Sequence, residues 1–276
     1  MRLHTFMICF LGLVSMVSIS SVSASETSKS SCSALTATGN SEYPPFLWRD
    51  ATHVRALHGV NRIIVDELSQ RINIPIELMH VGPWSRAQTE VRNGRVDLIA
   101  GAFYTNERAD YMDYFTPVML HTSSVVWQHK EKPFRFERKE DLETKWGVTV
   151  INNSFGQAFD QYAQYNLNLL AVASLSQALQ MLASNRVDYV LYEKNPAYAY
   201  VNKLGLHDVL MPVQPYISRE GLYLTLSKLS PCNNTETKRK IVASLQEMQQ
   251  EGFMAQALNK GIQEWEALGH VGLALP

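Results

Sequence analysis

The sequence predicts an α/β fold made of two similarly built halves, and three observations carry that reading. Between Cys32 and Gly101 the segments follow the order strand, loop, helix, strand, helix, strand, which is the signature of an α/β domain. The triplet Arg95-Val96-Asp97, at a helix-to-strand junction, returns as Arg186-Val187-Asp188 at another, as in an internally repeated design. Two β-rich runs, Ser123 to Trp127 and Gly221 to Ser227, frame the second triplet. They allow the chain to leave the first half, build the second and return.

Cys32 to Thr38 is apolar and Thr-rich and reads as a first strand, and Pro44-Pro45 in the following "GNSEYPPFLWRD" forbids helix. From Val60, the residues Ile63, Ile64, Leu68 and Ile72 fall at helical spacing, and "INIPIELMHV" then reads as a strand. A helix is expected from about Trp84 to Asn93 with Gly94 as its C-terminal cap, followed by a strand from Val96 to Gly101. In the second half, "INNSFGQAFDQY" reads as a helix led by an Asn153/Ser154 cap. Leu175 to Ser184 is an amphipathic helix, with "NRVDYVLYE" as its strand. After the charged stretch "KEKPFRFERKEDLETK", between the halves, and the second β-rich run, a long helical region is expected from Thr237 to Ala267.

Residues 1–24 read as an export signal: Arg2 and His4 open a polar segment, Phe6 to Val17 is largely apolar, and Val22-Ser23-Ala24 is a small-residue cleavage pattern. Cleavage after Ala24 would leave a soluble periplasmic chain, since no later run approaches the roughly 20 apolar residues of a membrane span. A formal net charge of -1 lacks the basic excess of nucleic-acid binders, so no nucleic-acid partner is expected. The mature chain keeps two cysteines, Cys32 and Cys232, with no histidine at ligand spacing from either. In an exported protein such a pair points to a disulfide rather than a metal site, with two buried thiols as the alternative. A bond would place the C-terminal helices with the first half and make that half discontinuous.

The pattern "EYPPFLWRD", followed by "GPWSRAQTEVRNGRVDLIAGAFYTNERADYMDYFTPV", closely resembles the bacterial extracellular solute-binding proteins of family three, periplasmic receptors that deliver polar amino acids to ABC importers. The resemblance extends over nearly the whole mature chain, including "LYLTLSKLSP". It implies a two-lobed, type II periplasmic binding protein-like fold with two hinge-crossing strands, closing on a small amino acid-like ligand. Lobe 1 would comprise residues 25–126 plus 225–276, and lobe 2 residues 127–224. The resemblance further implies a monomer without cofactor or metal, and an ABC permease or a membrane sensor as partner.

By the same resemblance, Tyr43 lies in the loop whose ring covers the ligand, and Trp84 supplies the opposing ring. Arg108 matches the arginine that holds the α-carboxylate, and the backbone at Gly101 faces that group. Asn153 and Ser154 lie near the second-lobe helix N-terminus, and Glu193 stands where many members place an aspartate for the α-amino group. Arg86, in the unusual Trp84-x-Arg86 after Gly82-Pro83, and Ala102, where a hydroxyl residue is common, are counted with the site.

The residue chemistry agrees with these roles. A guanidinium offers a permanently charged planar fork to a carboxylate, although Glu107 and Asp110 are near enough in sequence to pair with Arg108 as an ordinary surface arginine. Aromatic rings bury area at low conformational cost and attract cations, and core packing is the plain alternative for Tyr43 and Trp84. Lys194 is an alternative partner for Glu193, and simple capping an alternative for Asn153 and Ser154. Some proteins of this fold are dehydratases or lytic enzymes, in which a buried glutamate acts as general acid. The histidines (His4, His53, His58, His80, His121, His129, His207, His270) are scattered without metal spacing, and no phosphate-binding glycine loop is present. The chain is therefore expected to be a binding protein, not an enzyme.

Overall fold

The computed structural model describes residues 32–49 and 56–268, and the expected signal segment with its cleavage after Ala24 lies outside the described residues. The chain opens with β1 (Leu35–Thr38), β2 (Glu42–Tyr43), β3 (Leu47–Arg49) and β4 (Leu57–His58). Helix α1 (Val60–Ile72) and β5 (Ile76–Leu78) follow, then α2 (Trp84–Arg92) and β6 (Leu98–Ala102). A short α3 (Asn106–Ala109) and β7 (Met112–Tyr114) lead into the long β8 (Leu120–His129). Next come β9 (Trp146–Val150), α4 (Gln157–Asn166), β10 (Asn168–Val172), α5 (Leu175–Ala183), β11 (Tyr189–Glu193) and α6 (Lys194–Lys203). The 18-residue β12 (Leu210–Ser227) returns the chain, and α7 (Thr235–Gln250) and α8 (Phe253–Ala267) complete it.

The strands form one path, β10-β9-β11-β8-β12-β6-β1-β5, with β7 on β12 and β2-β3-β4 as a separate small sheet. Each end of the path has the same plan. Parallel strands β5 and β6 flank β1, and parallel strands β10 and β11 flank β9. An antiparallel strand then closes each trio, β12 against β6 and β8 against β11. Strands β8 and β12 pair with each other along both segments, with a register break between Val213 and Ser218, and so join the two halves.

The repeated triplet has a repeated task. Asp97 accepts hydrogen bonds from the backbone N–H and the hydroxyl of Thr36 at 2.8 Å each, and from Ser230 Oγ at 2.6 Å, fixing β6 beside β1. Asp188 accepts from the Trp146 N–H at 2.8 Å, fixing β11 beside β9. The residue that ends the preceding helix has positive φ in both, 68° at Gly94 and 55° at Asn185, the left-handed conformation that turns a helix into the next strand.

Helix α1 buries Ile64, Val65, Leu68 and Ile72, and α7 buries Ile241, Leu245 and Met248 within the same apolar cluster. Arg71 binds Glu251 at 2.6 Å, and Cys32 is bonded to Cys232. The C-terminal helices therefore lie with the first half. The helical region expected from Thr237 to Ala267 divides into these two helices at Gly252, which adopts a left-handed φ of 73° between them. The expected Asn153/Ser154 cap is corrected as well: α4 begins at Gln157 behind Gly156. Ser154 Oγ instead donates to Asp160 of the first turn, whose other oxygen accepts from the Phe155 N–H at 2.7 Å.

The Cys32–Cys232 bond spans a sequence separation of 200 residues, and cross-links of long loops restrict the unfolded chain strongly. Removing it by Cys232→Ala is expected to lower unfolding stability by about 2–5 kcal/mol, measured by guanidinium denaturation of the variant against the oxidised parent.

Candidate functional site

The carboxyl ends of β1, β6, β9 and β11 meet where the two halves face each other. One small cavity there is lined by Asn40, Tyr43, Trp84, Gly101, Phe103, Arg108, Asn153, Glu193 and Leu222. Its volume is about 20 Å³, room for roughly one water. Beyond Arg108 and Asn153, which line both spaces, lies an outer polar chamber of about 380 Å³ between α2, α3 and α4.

Gly101 reaches the cavity through a β-bulge: Tyr223 pairs with Ala102 and Leu224 with Ala100, leaving Gly101 as the extra residue at φ 99°. A Cβ there would come within 2.7 Å of Asn61 Nδ2, which itself donates to the Ala100 carbonyl at 2.9 Å. Both demands are met by glycine.

Arg108 is only 5% exposed, and its guanidinium is hydrogen-bonded on all three nitrogens. Nε donates to Gln88 Oε1 at 3.1 Å, Nη1 to the Phe103 carbonyl at 3.1 Å, and Nη2 to the Asn152 carbonyl at 2.8 Å. Its Cζ also lies 5.4 Å from the centroid of the Trp84 ring. The alternative pairing with Glu107 does not form, since Glu107 binds Arg92 at 2.7 Å.

Glu193, 1% exposed, ends β11 and faces Arg108 across the cavity. Burial pushes its carboxyl up to about 8, while the Asn153 amide and the charge of Arg108 pull it down and Asp160 pushes it further up. The Asn153 amide is near enough to draw the Glu193 carboxyl down, but neither Glu193 Oε2 nor Asn153 Nδ2 makes a hydrogen bond of normal geometry. Burial likewise raises Asp160, against the hydrogen bonds from Ser154 and Phe155, and raises Glu220, with Asp160 adding to it. The second half thus presents acid groups to the arginine-bearing first half.

Six of the residues singled out from the sequence, Tyr43, Trp84, Gly101, Arg108, Asn153 and Glu193, line the one cavity. Three stand elsewhere. The Arg86 side chain is 65% exposed and lies 3.5 Å from Glu90. Ala102 is fully buried with Ala87, Val91 and Ile99 in the apolar cluster beneath α2, because it follows the bulge and points to the opposite face. Ser154 lines the outer chamber. Two residues the sequence reading passed over are central: Gln88, one helical turn after Trp84, and Asn152, which supplies a backbone carbonyl. Gln88 was detectable as a polar residue between Ala87 and Val91 on an otherwise apolar helix face, whereas a carbonyl leaves no mark in a side-chain pattern.

Residues 35–264 match the family model of the bacterial extracellular solute-binding proteins, family 3. The chain belongs to this family. A relative, the L-cystine-binding protein TcyA of Bacillus subtilis (strain 168), is 20% identical over 226 residues, covering 82% of this chain and 80% of the relative. Among solved structures, a histidine kinase sensor domain with similarity to periplasmic binding proteins superposes with a TM-score of 0.70 at 18% identity, covering 88% of this chain and 98% of that one. The substrate-binding protein of an amino acid ABC transporter gives a TM-score of 0.67 at 17% identity, covering 83% and 99%. The fold of this solute-binding protein is that of the periplasmic binding proteins. No helix among the described residues is long and apolar enough to cross a membrane, and no described group of His, Cys, Asp and Glu has metal-binding geometry.

The raised Glu193 carboxyl fixes a sign for pH. It contributes stability below its ordinary value of 4.5, and this contribution is lost as pH rises through about 8. The Glu193→Gln variant is expected to gain stability relative to the parent as pH increases across that window, with the gain levelling off above it, in urea denaturation of ligand-free protein.

Proposed function

We propose that this family member is a periplasmic receptor that captures a small amino acid-like ligand between two lobes and delivers it to an ABC importer. The observation that carries the reading is a pair of buried groups lining the cavity, Glu193 Oε2 and Asn153 Nδ2, which lie near each other yet make no well-formed hydrogen bond. A buried polar group without a partner is costly, and a ligand bearing both an ammonium and an acceptor oxygen supplies partners for both. Tyr43 and Trp84 flank the ligand, Glu193 receives its ammonium, and Asn153, Arg108 and the Gly101 backbone address its oxygens. The relative that binds L-cystine and the fold shared with an amino acid transporter's binding protein support the amino acid class.

In this reading lobe 1 is residues 25–126 plus 225–276 and lobe 2 is 127–224, with β8 and β12 as the hinge. A cavity of about 20 Å³ cannot hold an amino acid, so the lobes must part to admit one, and a ligand bridging both shifts the balance between open and closed forms. The protein acts as a monomer exported by cleavage after Ala24. The similarity to a kinase sensor domain supports a second reading for the partner alone, a membrane sensor in place of the permease. A permease and ATPase encoded beside this chain favour import; a sensor kinase there favours signalling.

The test is a thermal-shift screen of the purified protein against amino acids, their amides, small dicarboxylates and polyamines. A ligand at a hundredfold excess over its Kd stabilises by about 2.7 kcal/mol. An amino acid hit is expected, with Glu193→Gln weakening it about tenfold, or about 1.4 kcal/mol. A folded Glu193→Gln protein of unchanged affinity would remove Glu193 from the site.

A further inference from the structure

Three donors from the first half converge on a single oxygen of the second. Trp84 Nε1 donates to the Asn152 carbonyl at 3.1 Å, Gln88 Nε2 at 3.1 Å and Arg108 Nη2 at 2.8 Å. A carbonyl oxygen carries two lone pairs, so three donors, one of them charged, saturate it. The geometry is built on both sides. Trp84 and Gln88 are one turn apart on α2 and so share a face, and Gln88 Oε1 also accepts from Arg108 Nε at 3.1 Å. On the other side Asn152 takes φ 60°, a left-handed conformation that asparagine tolerates better than most residues and that turns the chain just beyond β9. Trp84 and Gln88 are each 6% exposed and Arg108 5%, so these bonds form largely out of water, where they are strong.

We propose that this three-donor cradle is a latch that holds the ligand-free protein closed, with Trp84 and Gln88 as the positioning residues that set the closed population. Gln88 is the keystone, since one amide orients Arg108 through its oxygen and clasps the opposite half through its nitrogen. Arg108, which the proposed function assigns to a ligand oxygen, has its Nη2 already engaged with the Asn152 carbonyl. On that reading a ligand oxygen must displace a built-in competitor, and affinity reflects the difference between the two. The latch itself can be tested with no ligand present.

Two amides report on closure. Asn106 N–H, at the start of α3, donates to Gln157 Oε1 at 2.9 Å, and Leu175 N–H, at the start of α5, donates to Glu42 Oε2 at 3.2 Å. First-turn amides have no partner inside their own helix, so both are protected across the cleft, at separate places along it. Hydrogen exchange of ligand-free protein, followed by NMR, is compared between the parent and the Trp84→Phe/Gln88→Leu double variant. The latch requires exchange at Asn106 and Leu175 to rise about tenfold, or about 1.4 kcal/mol, while amides of β1 and β6 keep their protection. Unchanged rates at the two reporters overturn it. An equal acceleration of every amide overturns it too, because the cradle would then only support the fold. Should the double variant fail to fold, Trp84→Phe alone removes one donor and keeps a ring in place, and must accelerate both reporters over β1 and β6 for the latch to stand.

Discussion

The cleft depends on the surroundings of one buried cation, the guanidinium of Arg108. A charge removed from water is tolerated only when hydrogen-bonded acceptors replace its hydration. Here the acceptors come from three segments: Gln88 on α2, the Phe103 carbonyl after β6 and the Asn152 carbonyl after β9. The arginine thus has two acceptors within its own half, and only its third acceptor belongs to the other half. Trp84 stacks on the same cation and shares the same distant acceptor, so the aromatic wall and the charge are ordered together.

Across the cavity stands the opposite case, an acid with too few partners. Burial dominates at Glu193, and the pull of Arg108 does not cancel it. Asp160, lining the outer chamber of the same cleft, is likewise raised by burial, so two carboxyl groups of the second half stand above their ordinary values opposite the arginine. In the proposed function a zwitterion would lie with its ammonium toward Glu193 and its carboxylate toward Arg108. That asymmetry is what the proposed amino acid-like ligand requires.

Much of this was legible in the sequence where side chains have local tasks. Helix α1 followed from the spacing of Ile64, Leu68 and Ile72, and the end of α2 from Gly94, because burial and a left-handed turn each demand particular residue types. The repeated Arg-Val-Asp triplet was readable because its aspartate does the same work twice, pinning the start of one strand to its parallel neighbour. The misses have the opposite character. Ala102 was counted with the site because it stands where the resembled family commonly carries a hydroxyl residue, but a one-residue bulge at Gly101 turns its side chain under α2, and bulges are set by strand pairing across the molecule. The start of α4 was misplaced because Ser154, a good cap by type, is bonded to Asp160 instead, while Asn153 closes the turn after β9 through its N–H to the Val150 carbonyl and lines the cavity. Asn152 acts through its backbone and so left no chemical signature.

The placement of the cavity follows from strand direction. In open parallel sheets the loops at the carboxyl ends of strands are where chains diverge, leaving a crevice with free backbone groups. Each half here is such a sheet, and the antiparallel ribbon of β8 and β12 sets the two carboxyl edges face to face rather than side by side. Asn40 follows β1, Gly101 and Phe103 lie at the end of β6, Asn153 follows β9, and Glu193 ends β11. The two sheets are alike in plan, yet at the end of the strand after the triplet one offers a glycine bulge and a neighbouring cation, the other a buried acid. Duplicated architecture thus brings the edges together, and the substitutions at those strand ends give the shared cleft its polarity.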